Sequence, residues 1–324
     1  MYGDIKVFSG RSHPTLAKAI AGHLGFQLGR SKVMKFSNEN IMVQIEENVR
    51  ECDVFVVQTA SPPVNEHLIE LLIFIDALKS ASAARVTAVL PYFFYARSDK
   101  KDRPRISITA RLVADLLTAA GADRVLTIDL HSPQIQGFFR IPVDQLQAAS
   151  LLCAGLKRAE VTENAVIVAS DAGEAKDIGR YANRLNLPIA IIDKRRYGDD
   201  EKAVAENLIG SVEGKTALIV DDEIATGGTM IEAAEFCLKM GAERVAAAAT
   251  HGILTAPDRF KTSHIEKLLV TDTVPVPEEK HYPGLEVLSV APLLAEAIRR
   301  IHDGRSVSRL FDESAEASFQ RWGK

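Results

Sequence analysis

Short apolar runs alternate along this chain with longer stretches in which apolar residues recur every three or four positions. The short runs predict β-strands at 5–9, 54–58, 86–90, 124–128, 165–169, 189–192, 217–220 and 244–250. The longer stretches predict helices through Leu16, Ile20 and Leu24 and at 66–78, 109–120, 175–185 and 229–240. Because strands alternate with helices, the predicted fold class is α/β, with mostly parallel sheets that helices cover on both faces.

The length of 324 residues and a break in this pattern near 141–148 predict two domains. The first is expected to span 1–145 and the second 146–304, as two similar α/β units. Residues 305–312 are a candidate addition to the first domain. Residues 313–324 form a mostly polar tail.

The composition is that of a soluble globular protein, because 47% of the residues are hydrophobic and 25% are charged. A net charge of −4 and a pI near 6.1 argue against a nucleic-acid partner, which needs a basic face. Cys52, Cys153 and Cys237 are far apart, so we expect no disulfide framework and no zinc site, and a reducing compartment. The first residues lack a signal-peptide core and no apolar run approaches a membrane span. We therefore expect a cytoplasmic protein with no membrane partner.

The most informative segment is 218–229, Leu-Ile-Val-Asp-Asp-Glu-Ile-Ala-Thr-Gly-Gly-Thr. Asp221 and Asp222 follow a predicted buried strand, and the turn 226–229 leads into a predicted helix. Gly227 and Gly228 allow backbone N–H groups to close around a phosphate at a helix N-terminus. No Lys follows the glycines, so the pattern favours a sugar phosphate over a nucleoside triphosphate. The alternative is an ordinary Gly-rich turn after an acidic strand end.

A second charged segment, Asp193-Lys194-Arg195-Arg196, ends the strand predicted at 189–192 and opens a polar stretch that runs to Glu206. One interpretation is a solvated surface cluster. The other is a mobile loop that orders over a ligand, with Lys194 and Arg196 stabilising charge on a transferring phosphoryl group.

Two further strand ends carry candidate ligands. Asp129 and His131 follow the strand at 124–128, where a His beside an acid is a candidate metal or phosphate contact. Asp171 follows the strand at 165–169 and is either a hard oxygen ligand for Mg²⁺ or a helix N-cap.

These segments resemble known families. Segment 218–229 resembles the phosphoribosyl-pyrophosphate loop of phosphoribosyltransferases and of ribose-phosphate diphosphokinases (PRPP synthases). Asp129-Leu130-His131, followed by Gln134-Ile135-Gln136-Gly137-Phe138-Phe139, resembles the second family, as does Lys194-Arg195-Arg196. The resemblance runs from Phe8 to Phe311. It implies two phosphoribosyltransferase-type domains and the transfer of a diphosphoryl group from Mg-ATP to ribose 5-phosphate, giving PRPP and AMP.

The resemblance also implies roles for individual residues. Lys194 and Arg196 are the expected catalytic cations, and His131 and Asp171 the expected contacts to magnesium. The expected ATP contacts are Phe36, Asn38, Asn40, Arg97, Ser98 and His131. The expected ribose 5-phosphate contacts are Arg196, Asp221, Asp222, Ala225, Thr226, Gly227, Gly228 and Thr229. Ser98 and Asn40 stand where the family usually has Gln and Glu, and Ala225 where it commonly has Asp.

The family has an allosteric phosphate and ADP site, and Arg50, Ser82, Ser306 and Ser308 match it, although Pro104 replaces a usual Ser. The resemblance further implies a dimer-built hexamer in which the block Phe36–Asn40 serves a neighbouring subunit. Two rival functions stay open. A phosphoribosyltransferase would consume PRPP, and a PRPP-synthase-associated regulatory subunit would be non-catalytic.

Overall fold

The computed structural model describes residues 3–170, 175–196 and 203–311. The described chain divides into two compact units. The first contains the residues up to Gln147, then Thr273–Pro275, and then the chain from Ser289 onward. The second contains Ala148–Asp272 and Val276–Leu288.

The first unit is built on a five-stranded sheet in which every neighbouring pair is parallel. In spatial order its strands are β1 (Ile5–Ser9), β4 (Asp53–Val57), β5 (Arg85–Leu90), β6 (Arg124–Ile128) and β7 (Val143–Leu146). An antiparallel hairpin stands apart from this sheet and consists of β2 (Ser31–Lys35) and β3 (Ile41–Ile45). The helices of the unit are α1 (Pro14–Leu24), α2 (Val64–Ser80), α3 (Thr109–Ala119) and α8 (Ala291–His302). Strands β4 and β5 are buried along their whole length, as expected for a parallel sheet covered on both faces.

The second unit is built on a seven-stranded sheet, parallel except for one edge strand. In spatial order its strands are β10 (Ala203–Ile209), β9 (Ile189–Arg196), β8 (Ala165–Ala169), β11 (Thr216–Ile224), β12 (Arg244–Gly252), β13 (Ile265–Thr271) and β14 (Leu285–Leu288). Its helices are α4 (Ala149–Arg158), α5 (Ala175–Leu185), α6 (Gly228–Lys239) and the short α7 (Asp258–Lys261). The α/β class predicted from the alternation of strands and helices is confirmed.

One part of the predicted domain division is wrong. Residues 289–304 were assigned to the second domain, but α8 packs against α1 in the first unit. At the C-terminal end of α8, His302 Nδ1 lies 2.9 Å from Asp53 Oδ2, and Arg85 Nη2 donates to Ile301 O at 3.2 Å. These long-range contacts bring a late segment of the chain back to the first sheet.

Strand β11 runs further than the sequence predicts. β11 extends through Asp221 and Asp222 to Ile224, because its parallel register with β12 continues to Gly252. The two acids therefore lie on the strand rather than after it. Main-chain hydrogen bonds sustain a strand whatever the polarity of its side chains.

The sequence predicts that a strand ends at 192 and leaves open a surface cluster or a mobile loop up to 206, but the residues that the structure describes within 193–206 lie on strands. β9 continues to Arg196, and Ala203 opens β10, which pairs antiparallel with it. Backbone pairing stabilises an edge strand even where its side chains are polar. The polar sequence of β10 therefore gives no apolar pattern from which a strand could be predicted.

Among the residues that the structure describes, no helix is both long enough and apolar enough to cross a membrane.

Candidate functional site

The turn at 225–229 joins β11 to α6 and has a backbone suited to an anion. Gly227 has a φ of +78°, and α6 begins at the next residue, Gly228. The first N–H groups of a helix have no intrahelical acceptor, and the helix dipole favours negative charge at this end. Thr226 and Thr229 are exposed and add hydroxyl groups beside these amides. The five residues predicted to contact the sugar phosphate thus form one turn at a helix N-terminus.

The loop after β12, the strand next to β11, is hydrogen-bonded to this turn. Thr255 donates to Ala225 O from its backbone N at 2.9 Å and from its Oγ1 at 3.1 Å. Lys280 Nζ donates to Ile253 O at 2.6 Å and so anchors the start of the same loop. Burial lowers the pKa of Lys280, and Glu279 opposes that shift. The turn is therefore held in place by residues that are distant from it in the sequence.

Asp221 and Asp222 lie on β11 just before this turn, and both are partly buried. The backbone N of Asp222 donates to Asp221 Oδ1 at 2.7 Å. Two carboxylates at the carboxyl end of a parallel strand are suited to accept from sugar hydroxyls or to contact a hard cation. Asp221 and Asp222 precede Ala225, the first residue of the turn, by four and three positions, so one small ligand can reach both the carboxylates and the turn.

In the first unit, two predicted ligand segments meet at one edge of the sheet. Arg97 and Ser98 follow β5, and His131 follows β6, which pairs directly with β5. Arg97 and His131 are both exposed. Parallel strands place their carboxyl ends on the same edge, which is where ligands bind in such sheets.

The β2–β3 hairpin is tied to that edge through the first turn of α2. Lys35 Nζ lies 2.8 Å from Glu66 Oε2, and Tyr95 OH donates to Asn65 Oδ1. The hydrogen bond between Lys35 and Glu66 raises the pKa of the lysine and lowers the pKa of the glutamate. Lys35 belongs to the hairpin and Tyr95 to the segment after β5, and both contact the start of α2. These contacts therefore link the hairpin to the segment after β5.

The tip of this hairpin is the predicted adenine block, residues 36–40, and all five residues are exposed. Phe36 N donates to Asn40 O at 2.8 Å and Asn40 N donates to Asn38 Oδ1 at 3.2 Å, which closes the turn. The Phe36 side chain is 46% exposed. An exposed ring on a closed turn is a surface on which a base can stack.

Ser98 already has a structural partner. Its Oγ accepts from Thr109 N, at the start of α3, at 3.4 Å and donates to Ser107 O at 3.4 Å. Its backbone O accepts from Ala110 N at 3.1 Å. The shorter side chain that replaces the usual Gln thus serves the N-terminus of a helix.

The remaining predicted catalytic and metal residues are described only in part. Lys194 and Arg196 are placed by their backbone, on the last residues of β9. Asp171 lies outside the described residues. Within the described ranges, no three His, Cys, Asp or Glu side chains are grouped closely enough to hold a metal ion.

Comparisons with known proteins agree along nearly the whole chain. Residues 5–121 match the N-terminal domain of ribose phosphate pyrophosphokinase, and residues 200–312 match the phosphoribosyl synthetase-associated domain. The ribose-phosphate pyrophosphokinase of Caldanaerobacter subterraneus subsp. tengcongensis is 52% identical over 95% of this chain and 98% of its own length. That of Bacillus subtilis is 48% identical over 96% of this chain and 98% of its own length.

This chain belongs to the ribose-phosphate pyrophosphokinase family. A crystal structure of phosphoribosylpyrophosphate synthetase from Mycobacterium smegmatis is also similar, with a TM-score of 0.88 and 43% identity over 93% of this chain and 100% of that one. The predicted enzyme class and the fold of two phosphoribosyltransferase-type domains are confirmed.

The four residues predicted from the sequence to form a regulatory site make two local pairs. Arg50 Nη1 donates to Ser82 Oγ at 3.2 Å, and the Oγ atoms of Ser306 and Ser308 are 2.8 Å apart. Ser308 also lines a cavity of about 470 Å³ in the first unit. The other residues that line this cavity are Arg124, Gln136, Val143, Asp144, Gln145, Ile301, Gly304, Arg305 and Val307.

The sequence does not predict the residues after β12 that contact the turn at 225–229. These are Thr255, Arg259 and Phe260, which lie about thirty residues beyond the turn. The rule that ligands bind at the carboxyl ends of strands points to the loop after the strand predicted at 244–250. The pairing of β11 with β12 then decides that this loop adjoins the turn.

Proposed function

We propose that this chain transfers the diphosphoryl group of Mg-ATP to the 1-hydroxyl of ribose 5-phosphate, giving 5-phosphoribosyl 1-diphosphate and AMP for nucleotide biosynthesis. The observation that supports the proposal is a glycine turn at 225–229, at the N-terminus of α6 and directly after two carboxylates on β11. It combines with membership of the ribose-phosphate pyrophosphokinase family.

In this proposal the second unit binds the sugar. The amides of the turn and the hydroxyls of Thr226 and Thr229 hold the 5-phosphate, because that end of α6 favours an anion. Asp221 and Asp222 hold the ribose hydroxyls. The replacement of the family's usual Asp by Ala225 leaves its backbone N–H for the phosphate, while Thr255 occupies its carbonyl oxygen.

Residues of the first unit bind ATP. Phe36 stacks on the adenine, and the side chains of Asn38 and Asn40 read the edge of the base. Arg97 and His131 contact the phosphates of Mg-ATP from the carboxyl edge of β5 and β6. Because the hydroxyl of Ser98 is engaged at the N-terminus of α3, we infer that Ser98 reaches ATP only through water.

The donor set suits magnesium. Asp221 and Asp222 provide hard oxygens, and Mg²⁺ is usually held by one or two carboxylates together with substrate phosphates rather than by a complete protein cage. His131 and Asp171 are the further proposed contacts. When bound, the ion would neutralise charge on the phosphate oxygens.

For the chemical step, the 1-hydroxyl oxygen attacks the β-phosphorus of ATP and the bond from that phosphorus to the α,β-bridging oxygen breaks. AMP leaves with that oxygen, and the proton of the 1-hydroxyl is released to solvent. No strong base is assigned, so in-line positioning and charge neutralisation supply most of the acceleration. Lys194 and Arg196, at the end of β9, stabilise the charge on the transferring group, and Arg196 also contacts the sugar phosphate.

We further propose that the enzyme self-associates, with a dimer-built hexamer as the expected state, and that Phe36–Asn40 completes the site of a neighbouring subunit. Arg50, Ser82, Ser306 and Ser308 are proposed to bind phosphate or ADP as regulators. The cavity beside Ser308 has the arginines Arg124 and Arg305 on its wall, which suits an anionic effector.

One assay tests the proposed reaction. Purified protein is incubated with Mg-ATP and ribose 5-phosphate, and AMP and PRPP are quantified in equal amounts. A phosphoribosyltransferase would form no AMP under these conditions and would instead consume supplied PRPP with a base. A regulatory subunit would form neither product, so either result would overturn the proposal. Repeating the assay with other nucleoside triphosphates, and with added phosphate or ADP, tests base selectivity and regulation.

A further inference from the structure

The side chain of Arg259, a cation outside the sequence motifs, lies beside the proposed sugar-phosphate turn. The guanidinium Nη1 of Arg259 is 3.4 Å from the position that a Cβ at Gly228 would occupy. Gly228 is the first residue of α6, and side-chain directions on a helix tilt towards its N-terminus. Arg259 therefore lies at the end of α6 where the free amides are, although it is 31 residues away in sequence, the difference between 259 and 228.

The backbone under Arg259 is firmly placed. Arg259 N donates to Ala256 O at 3.2 Å, and the next residue, Phe260, packs its ring against Gly227 in the turn. Upstream, Thr255 bonds to Ala225 O through two donors. The guanidinium is thus carried on a segment that contacts the turn at two residues, Ala225 and Gly227.

The charge of Arg259 is not neutralised within the part of the chain that the structure describes. The adjacent carboxylate, Asp258 Oδ1, pairs with Lys261 Nζ at 2.8 Å. No ion pair or hydrogen bond involves the Arg259 guanidinium among the described residues. An exposed, uncommitted guanidinium can bind phosphate through two parallel N–H donors.

We propose that Arg259 is a substrate-binding residue that contacts the 5-phosphate of ribose 5-phosphate in the turn at 225–229. The inference rests on the proposed function, because it assigns a further ligand to the same site. The turn offers backbone amides, which are neutral donors, and Arg259 adds a full positive charge. It makes the enzyme prefer the phosphorylated sugar over free ribose and over sugars with an uncharged 5-position.

The experiment compares the full-length wild type with Arg259→Ala, Arg259→Lys and a control, Lys239→Ala. Lys239 is an exposed cation on α6, at the end of that helix that is remote from the turn. The KM for ribose 5-phosphate at saturating Mg-ATP and the KM for Mg-ATP are measured for each. The KM for the sugar is also measured at several ionic strengths, because a charge contact weakens with salt and a purely structural role does not.

We expect Arg259→Ala to raise the KM for ribose 5-phosphate roughly 10-fold or more, with the KM for Mg-ATP within twofold of wild type. Its salt dependence should be shallower than that of wild type, Arg259→Lys should be intermediate, and Lys239→Ala should match wild type. If the alanine variant does not fold, the same KM values are measured for Arg259→Lys and Arg259→Gln instead.

An unchanged KM for ribose 5-phosphate in the Arg259 variants, or an equal rise for both substrates, would overturn the assignment of Arg259. That result is distinct from failure of the proposed function, in which the wild type itself forms no AMP from ribose 5-phosphate. The inference then falls with the proposal on which it rests.

Discussion

The aromatic ring of Phe260 lies directly against Gly227, since a Cβ built at residue 227 would be 2.3 Å from Phe260 Cε2. The φ of Gly227 is +78°, a conformation that residues with a side chain rarely adopt. Two independent constraints therefore require glycine at this point of the phosphate turn. One is the backbone geometry, and the other is the close approach of a loop from the next strand.

Gly227→Ala should consequently destabilise the second unit by about 2–4 kcal/mol, from backbone strain together with the clash on Phe260. Urea denaturation of the variant and wild type measures this change. The matched control is Gly228→Ala, where φ is not positive and the added Cβ would lie 3.4 Å from the flexible end of Arg259 and 3.8 Å from Thr226 Oγ1. We expect that control to stay within about 1 kcal/mol of wild type, since alanine is favoured in helices. Equal effects of the two substitutions would show that Phe260 and the turn readily adjust.

Lys194→Ala should lower turnover by roughly three orders of magnitude or more while leaving folding and ATP affinity nearly intact. The reason is that a cation stabilising the transferring group acts in the transition state more than in the bound ground state. Rapid-quench measurement of AMP formation gives the turnover, and calorimetry gives the ATP affinity. Arg195→Ala, one residue along β9, is the control for loss of a neighbouring positive charge. Turnover within a factor of three of wild type would remove Lys194 from the mechanism.

Asp221→Asn should weaken the binding of ribose 5-phosphate more than that of ATP. Asp221 Oδ1 accepts from Asp222 N at 2.7 Å, and an asparagine retains an oxygen for that bond. The substitution therefore removes charge while preserving the local backbone contact. Calorimetric titration with each substrate separately measures both affinities. Glu235→Gln, at an exposed position on α6, controls for the change in net charge. Equal losses for the two substrates would contradict the assignment.

Ser98→Ala should lower the stability of the first unit by about 1 kcal/mol, because Thr109 N at the start of α3 loses its acceptor. We expect the KM for ATP to change less than threefold. Ser107→Ala is the matched control, since Ser107 is exposed and the hydrogen bond from Ser98 goes to its backbone oxygen. A tenfold rise in the KM for ATP at unchanged stability would instead mean that Ser98 binds the nucleotide directly.

Much of the fold follows from local patterns in the sequence. The strands at 5–9, 124–128 and 165–169 and the helix at 175–185 have the predicted ends, because their apolar periodicity and flanking turn residues are local signals. The turn at 225–229 and the two acids before it are recognisable for the same reason, because they lie in one short segment of the sequence. The sequence by itself thus determined the α/β class, the family and the residues of the turn for which we propose the sugar-phosphate site.

Other features were decided only by the tertiary structure. Pairing with β12 makes Asp221 and Asp222 part of a strand, and packing on α1 returns α8 to the first unit. The same order of strands places Phe260 and Arg259 beside the glycines of the turn. These relationships join residues that are about thirty to nearly three hundred positions apart in the sequence. A periodic pattern reports only neighbours along one strand or helix, so such contacts arise when the sheet assembles and its strand order is set.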